Sequence, residues 1–138
     1  MKNIILSILL VTFTIGFTNA QSKKVQTKFS IDKIVTNYLA LKNALTKDET
    51  KAVASAGKTL YATFNAVKTN AIDAKKKKDY LDIAESAKEN AEHIGDNAGK
   101  LDHQREHFVL LSKDINDLIK LFGTKQKLYQ DYCPMAAE

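Results

Sequence analysis

The sequence predicts an all-α fold, a small antiparallel four-helix bundle with a short C-terminal tail. Three observations carry that expectation. Apolar residues recur at three- and four-residue spacing in four separate stretches, and strand-like alternation is scarce. The only proline among 138 residues is Pro134, so nothing upstream of it interrupts a helix. The links between the stretches are short, which sets consecutive helices side by side and antiparallel.

The first helix is predicted from Ile31 to about Leu45. Ile31, Ile34, Val35, Tyr38, Leu41 and Leu45 share one face. Ser30 is placed to accept a free N–H of the first turn, and Phe29 with Ile34 has the spacing of a hydrophobic staple. The second helix starts at Lys47 or Glu49 and runs to about Lys68. Thr46 and Glu49 have capping-box spacing, and Val53, Ala56, Leu60, Phe64 and Val67 form the stripe. Gly57 lies inside it at a cost of about 1 kcal/mol relative to alanine, which a close helix crossing would explain. The third helix runs from about Ala74 to His93, capped by Asp73 and ended by Gly95 as the C′ residue. Its stripe of Tyr80, Ala84, Ala87, Ala91 and Ile94 is thin, so it is expected to be the least tightly held helix. The fourth is capped by Asp102, lined by Phe108, Leu111, Ile115, Leu118, Ile119 and Phe122, and terminated by Gly123. Leu128, Tyr129 and Tyr132 are predicted to add one more helical turn that docks on the bundle. Cys133 ends it, because the residue before a proline is pushed out of helical geometry.

Residues 1–20 read as a secretory signal peptide: Lys2, an apolar run from Ile4 to Phe17, and small residues at Thr18-Asn19-Ala20. The run is short of the ~20 residues that span a bilayer. The expected location is therefore periplasmic or secreted, with a single helical-bundle domain over 21–138 and no integral membrane segment after leader removal. The leader carries one charge, Lys2, so its loss takes the formal net charge from +5 to +4. That balance argues for solubility, not for a nucleic-acid partner. The dense basic stretch Lys75 to Lys78 reads as a solvated helix end. No aromatic residue interleaves it to stack on bases.

Chemistry-bearing residues are few. There is no Gly-rich phosphate loop, no HExxH and no CxxC pair, and nothing beside Cys133 is a strong thiolate activator, so no enzyme is expected. Cys133 is the only cysteine, which excludes an intramolecular disulfide and leaves a reactive thiol, an intermolecular link or a metal ligand. Cys133 and Met135 flank Pro134 and offer a thiolate and a thioether, the soft pair that selects Cu(I). His103 and His107 are four apart and share a helix face. His93 is a further candidate, though it also suits the dipole at a helix C-terminus. Each residue has a plainer reading as well: Cys133 as a small buried apolar group, Met135 as core filler, His107 as a boundary residue, His103 as a surface residue. A site shared by Cys133 and His107 requires the tail to fold back along about 22 Å of helix.

The chain resembles domain-of-unknown-function family 3347. The residues that carry the likeness are Ile34-Val35-Thr36-Asn37-Tyr38-Leu39-Ala40-Leu41-Lys42-Asn43-Ala44-Leu45, Gln104-Arg105-Glu106-His107-Phe108 with Leu111-Ser112, and Leu128-Tyr129 with Tyr132-Cys133-Pro134-Met135-Ala136. Members look like small exported helical domains, some standing alone and others fused to periplasmic adaptor subunits of heavy-metal efflux systems. The resemblance implies copper or a related soft metal at Cys133 and Met135, with His107 beside them. It also implies an efflux adaptor or a metal chaperone as partner. In the family the CPMA motif is usually followed by glycines, a Trp, an Asn-Pro and often a second Cys; this sequence has no Trp. The expectation is thus an exported soft-metal binding or handling domain, with copper bound by Cys133, Met135, His107 and His103. The alternative is an interaction or accessory module of the cell envelope that binds no metal and in which Cys133 and Met135 anchor the tail in an apolar groove.

Overall fold

The computed structural model describes residues 29–130. The leader at 1–20 and the tail residues Tyr132, Cys133 and Met135 lie outside them. Four helices pack together, α1 (Asp32–Leu45), α2 (Thr50–Asn65), α3 (Ala74–Asp96) and α4 (Leu101–Phe122), with a 3-10 turn at Thr69–Ala71. No strand occurs among the described residues. Cross-links show the antiparallel order. Asn37 near the start of α1 donates to Thr63 near the end of α2, and Lys76 at the start of α3 donates to the Leu121 carbonyl at the end of α4. Consecutive helices pack most closely, and α1 meets α4 chiefly through side chains. There the Tyr38 ring stacks on Phe108 at 5.3 Å, and its hydroxyl donates to Ser112 Oγ at 2.9 Å.

Every predicted stripe faces the common core. Ile34, Val35 and Leu41 of α1, Val53 and Leu60 of α2, Ile94 of α3, and Leu111, Ile115 and Leu118 of α4 are buried. Each such side chain is worth roughly 1.5–3 kcal/mol of transfer free energy, which is why all four helices turn the same kind of face inward. Phe29 packs against the core cluster that includes Ile34. It packs edge-on to Tyr80 and Phe122, closing the end of the bundle where α3 begins and α4 ends.

Several local expectations shift. Ser30 Oγ accepts the Asp32 N–H, but Ile31 occupies the cap position. Thr46 caps no helix start; its hydroxyl donates back to the Asn43 carbonyl, and α2 begins only at Thr50. The link turns through Asp48 at φ 57, a conformation aspartate tolerates better than most residues. Asp73 does cap α3, accepting the Lys75 N–H. Asp102 lies inside the first turn of α4, whose cap is Lys100. Gly123 ends α4 at φ 72, as predicted.

Two differences have larger consequences. Helix α3 continues past Gly95 to Asp96, and Gly95 faces Gly57 across the α2–α3 crossing. A Cβ on Gly57 would lie 2.9 Å from Gly95 N and 2.9 Å from the Ala91 carbonyl oxygen. The thin stripe therefore does not leave α3 loosely held: small side chains let its backbone approach α2 closely while its other side packs on α4. After Gly123, no helical turn follows through Leu128 and Tyr129. Thr124 Oγ1 and the Lys125 N–H both donate to Asp32 Oδ1, at 2.8 and 3.0 Å, and Gln126 Nε2 donates to the Asp32 carbonyl at 3.1 Å. These bonds tie the backbone to α1, in place of the bonds to itself that a helix would need.

Candidate metal centre

The α3–α4 hairpin builds the one cluster of three or more potential metal-ligating His, Cys, Asp or Glu residues among the described residues. His93 stands in the last turn of α3, and His103 and His107 in the first turns of α4. Four residues, 97–100, join the helices, with Gly99 at φ 89 making the turn. Positions at similar distances before and after so short a link face one another. The His93 and His107 rings stack at 4.4 Å and 9°, and His103 lies edge-on to His107 at 4.6 Å. His93 and His103 are 6.2 Å apart. One ring nitrogen from each histidine falls within 4.8 Å of the other two.

The end of the hairpin that carries these rings is fixed beneath them. Gln104 is fully buried, and its Nε2 donates to the Thr50 carbonyl at 3.1 Å and the Ile94 carbonyl at 3.2 Å. That side chain joins the start of α4 to the end of α3 and the start of α2. His107 has a buried neighbour, Asn90, whose Oδ1 is 3.0 Å from His107 Nδ1. His103 Nδ1 sits 3.6 Å from Glu106 Oε2, too long for a hydrogen bond.

Burial pushes the His107 pKa down, and the neighbouring His93 and His103 push it further, against the pull of Glu106 and Glu89. The imidazole is thereby held neutral, the form that binds metal. The donor set fits a transition metal. Metal–nitrogen bonds of ~2.0–2.1 Å in a tetrahedral shell would put the nitrogens ~3.3 Å apart, so the rings would have to close in from their present separations, which are within 4.8 Å. Three imidazoles suit zinc, copper, iron or nickel and do not single out copper. A tetrahedral ion held by these three residues would take its fourth ligand from elsewhere.

The placement of the sequence-predicted residues is mixed. His103 and His107 come together on α4. His93, the further candidate that also suits the helix dipole, is the third member of the cluster. The signal for it was available: His93 and His103 are equally spaced about residue 98, at the centre of the predicted turn. Cys133 and Met135 fall outside the described residues. The cluster stands at the end of the bundle opposite Phe122, as the predicted span along α4 required.

No curated protein and no solved structure matches the chain. A family match does exist over residues 34–127, a span that takes in all three histidines and stops short of Cys133 and Met135, and the chain belongs to that family, described as a protein of unknown function (DUF3347).

Proposed function

We propose that this domain binds a transition-metal ion at His93, His103 and His107 and serves to hold or pass on that metal, with no reaction catalysed. The observation that carries the reading is the convergence of three imidazole nitrogens within 4.8 Å from two helices. Neutral imidazole is a common metal ligand, and three in one place leave little else for the cluster to do that a surface histidine would not do alone.

Copper is the metal we favour. The histidines accept several metals, and the soft sulfurs of Cys133 and Met135 tip the preference towards copper if they join. The setting we propose is outside the cytoplasm, after loss of residues 1–20, with a periplasmic efflux adaptor or a metal chaperone as exchange partner. No helix among the described residues is long and apolar enough to cross a membrane.

The test is metal titration of the protein lacking residues 1–20, with Cu(I) under anaerobic conditions and with Cu(II) and Zn(II) in air. Wild type should bind one ion. The triple change His93→Ala, His103→Ala and His107→Ala should abolish binding of the divalent ions. The pair Cys133→Ala and Met135→Ala should weaken Cu(I) more than Zn(II). Unchanged affinity in the triple variant would refute the site, and a wild type that takes up none of these metals would return the domain to the class of interaction modules.

A further inference from the structure

We propose that Asn90 is a positioning residue for the metal centre, its side-chain oxygen holding His107 in the tautomer that leaves Nε2 free to bind metal; the inference rests on the metal reading above. Asn90 is 6% exposed and lies on α3 one helical turn before Ile94. Its Nδ2 donates to the Ser86 carbonyl at 2.9 Å. A backbone carbonyl can only accept, so this bond decides which end of the amide is nitrogen. The other end, Oδ1, is therefore an acceptor, and it faces His107 Nδ1 at 3.0 Å. An acceptor so placed requires the proton on Nδ1. In neutral imidazole that leaves the lone pair on Nε2.

The amide is held from behind as well. Ser86 Oγ donates to Asp114 Oδ2 at 2.7 Å, and Asp114 is itself buried. Ser86, Asn90 and Asp114 thus form a polar layer inside the α3–α4 interface, directly under the histidines. Asn90 is the one buried polar residue of α3, among Tyr80, Ala84, Ala87, Ala91, Ile94 and Gly95. Buried amides are costly unless bonded, and this one is bonded to a candidate ligand. Metal-bound histidines commonly donate their second N–H to such a group, which fixes ring and tautomer together. A free imidazole in water prefers its proton on Nε2, so the contact reverses the default.

The experiment reads the tautomer and the affinity separately. Imidazole 15N–1H correlation spectra of the metal-free protein should show His107 protonated on Nδ1, with an unprotonated Nε2. Asn90→Leu, near in size and without an acceptor, should move the proton to Nε2. Asn90→Asp, which keeps an acceptor, should keep it on Nδ1. Zn2+ affinity should fall about 10- to 100-fold in Asn90→Leu and recover in Asn90→Asp. A wild type that binds Zn2+ but carries the proton on Nε2 overturns the role of Asn90 alone. So does a folded Asn90→Leu protein with the wild-type tautomer or affinity. A wild type that takes no Zn2+ overturns the metal reading and this proposal with it. The wild-type spectrum decides the tautomer even if Asn90→Leu fails to fold.

Discussion

Replacing Gly57 with alanine tests whether the α2–α3 crossing is as tight as it appears. The added methyl would stand 2.9 Å from the Ala91 carbonyl oxygen, 2.9 Å from Gly95 N and 3.0 Å from Ile94 Cγ2. Two of these atoms are backbone and cannot swing aside, so the helices must separate by about half an ångström to reach ordinary contact. Overpacking of this kind costs about 1–3 kcal/mol. The gain in helix propensity returns at most ~1 kcal/mol. Two rigid backbone contacts put Gly57 in the upper part of that range, about 2–3 kcal/mol, so the net loss is about 1–2 kcal/mol, which lowers the melting temperature of a domain this size by roughly 4–16 °C. Gly95→Ala is the control. Its methyl meets Lys58 Cγ at 2.8 Å, and its nearest backbone neighbour is Lys58 N at 3.2 Å. The Lys58 side chain is exposed and paired only with Asp96 at 3.4 Å, a surface pair worth little. Its rotation relieves the clash, and Gly95→Ala should stay within about 1 kcal/mol of wild type once the propensity gain of ~1 kcal/mol is counted. Circular-dichroism melts and urea titrations of the two variants settle the matter. A Gly57→Ala protein as stable as wild type, or a Gly95→Ala protein that is the weaker of the two, would refute the reasoning.

Two further outcomes follow from buried or bonded carboxylates. Asp32 accepts bonds from Thr124 Oγ1 and the Lys125 N–H, and the Lys125 backbone bond leads the causes that hold its pKa below the usual carboxylate value. A depressed carboxyl stabilises the fold above its unfolded pKa and loses that contribution as pH falls through the folded value; Asp32→Ala should accordingly lose most hydrogen-exchange protection at the Lys125 amide near neutral pH, and a protected Lys125 in that variant would count against the tie. Asp114 is displaced the other way: burial raises its pKa, against the bond from Ser86. Its charged form costs stability above the folded pKa, and the cost vanishes below the unfolded one. Asp114→Asn should thus unfold at higher urea than wild type at pH 7, with the gap closing towards pH 3; a gap that widens on acidification would show the sign to be wrong.

Much of the fold was legible because apolar spacing reports directly on burial. The stripes named for all four helices pack in one core, and α4, with the fullest stripe, ends at Gly123 as predicted but starts two residues before the start that Asp102 as cap implied. What the sequence hid were features that depend on two segments at once. Thr46 and Glu49 had capping-box spacing, but Thr46 satisfies the end of α1 and leaves α2 to begin later. Gly95 carried the signature of a helix stop. Its role is close approach to Gly57, and only the crossing itself separates those readings. The segment after Gly123 had apolar residues at helical spacing, yet Asp32 on a distant helix captures its backbone N–H and hydroxyl groups. His93 was ambiguous for a related reason: a histidine in the last turn of a helix satisfies the dipole argument alone, and only the turn that brings it to His103 and His107 separates the two readings.

The same contacts that were hard to read explain why the histidines converge at all. Rings at the end of a bundle, here one exposed and two half-buried, hold a ligand geometry only when the backbone beneath them is fixed. His93 is two residues from Gly95, where α3 comes closest to α2. Gln104, between His103 and His107 in sequence, bonds the Ile94 carbonyl on one side and the Thr50 carbonyl on the other. The three helix ends are therefore clamped to one another by a glycine crossing and a buried amide, neither of which carries charge. The clamp lies below the rings, and of the three only His107 is also held from within the bundle, through its contact with Asn90. Under the metal reading proposed above, a backbone settled in this way would limit the rearrangement that binding an ion requires.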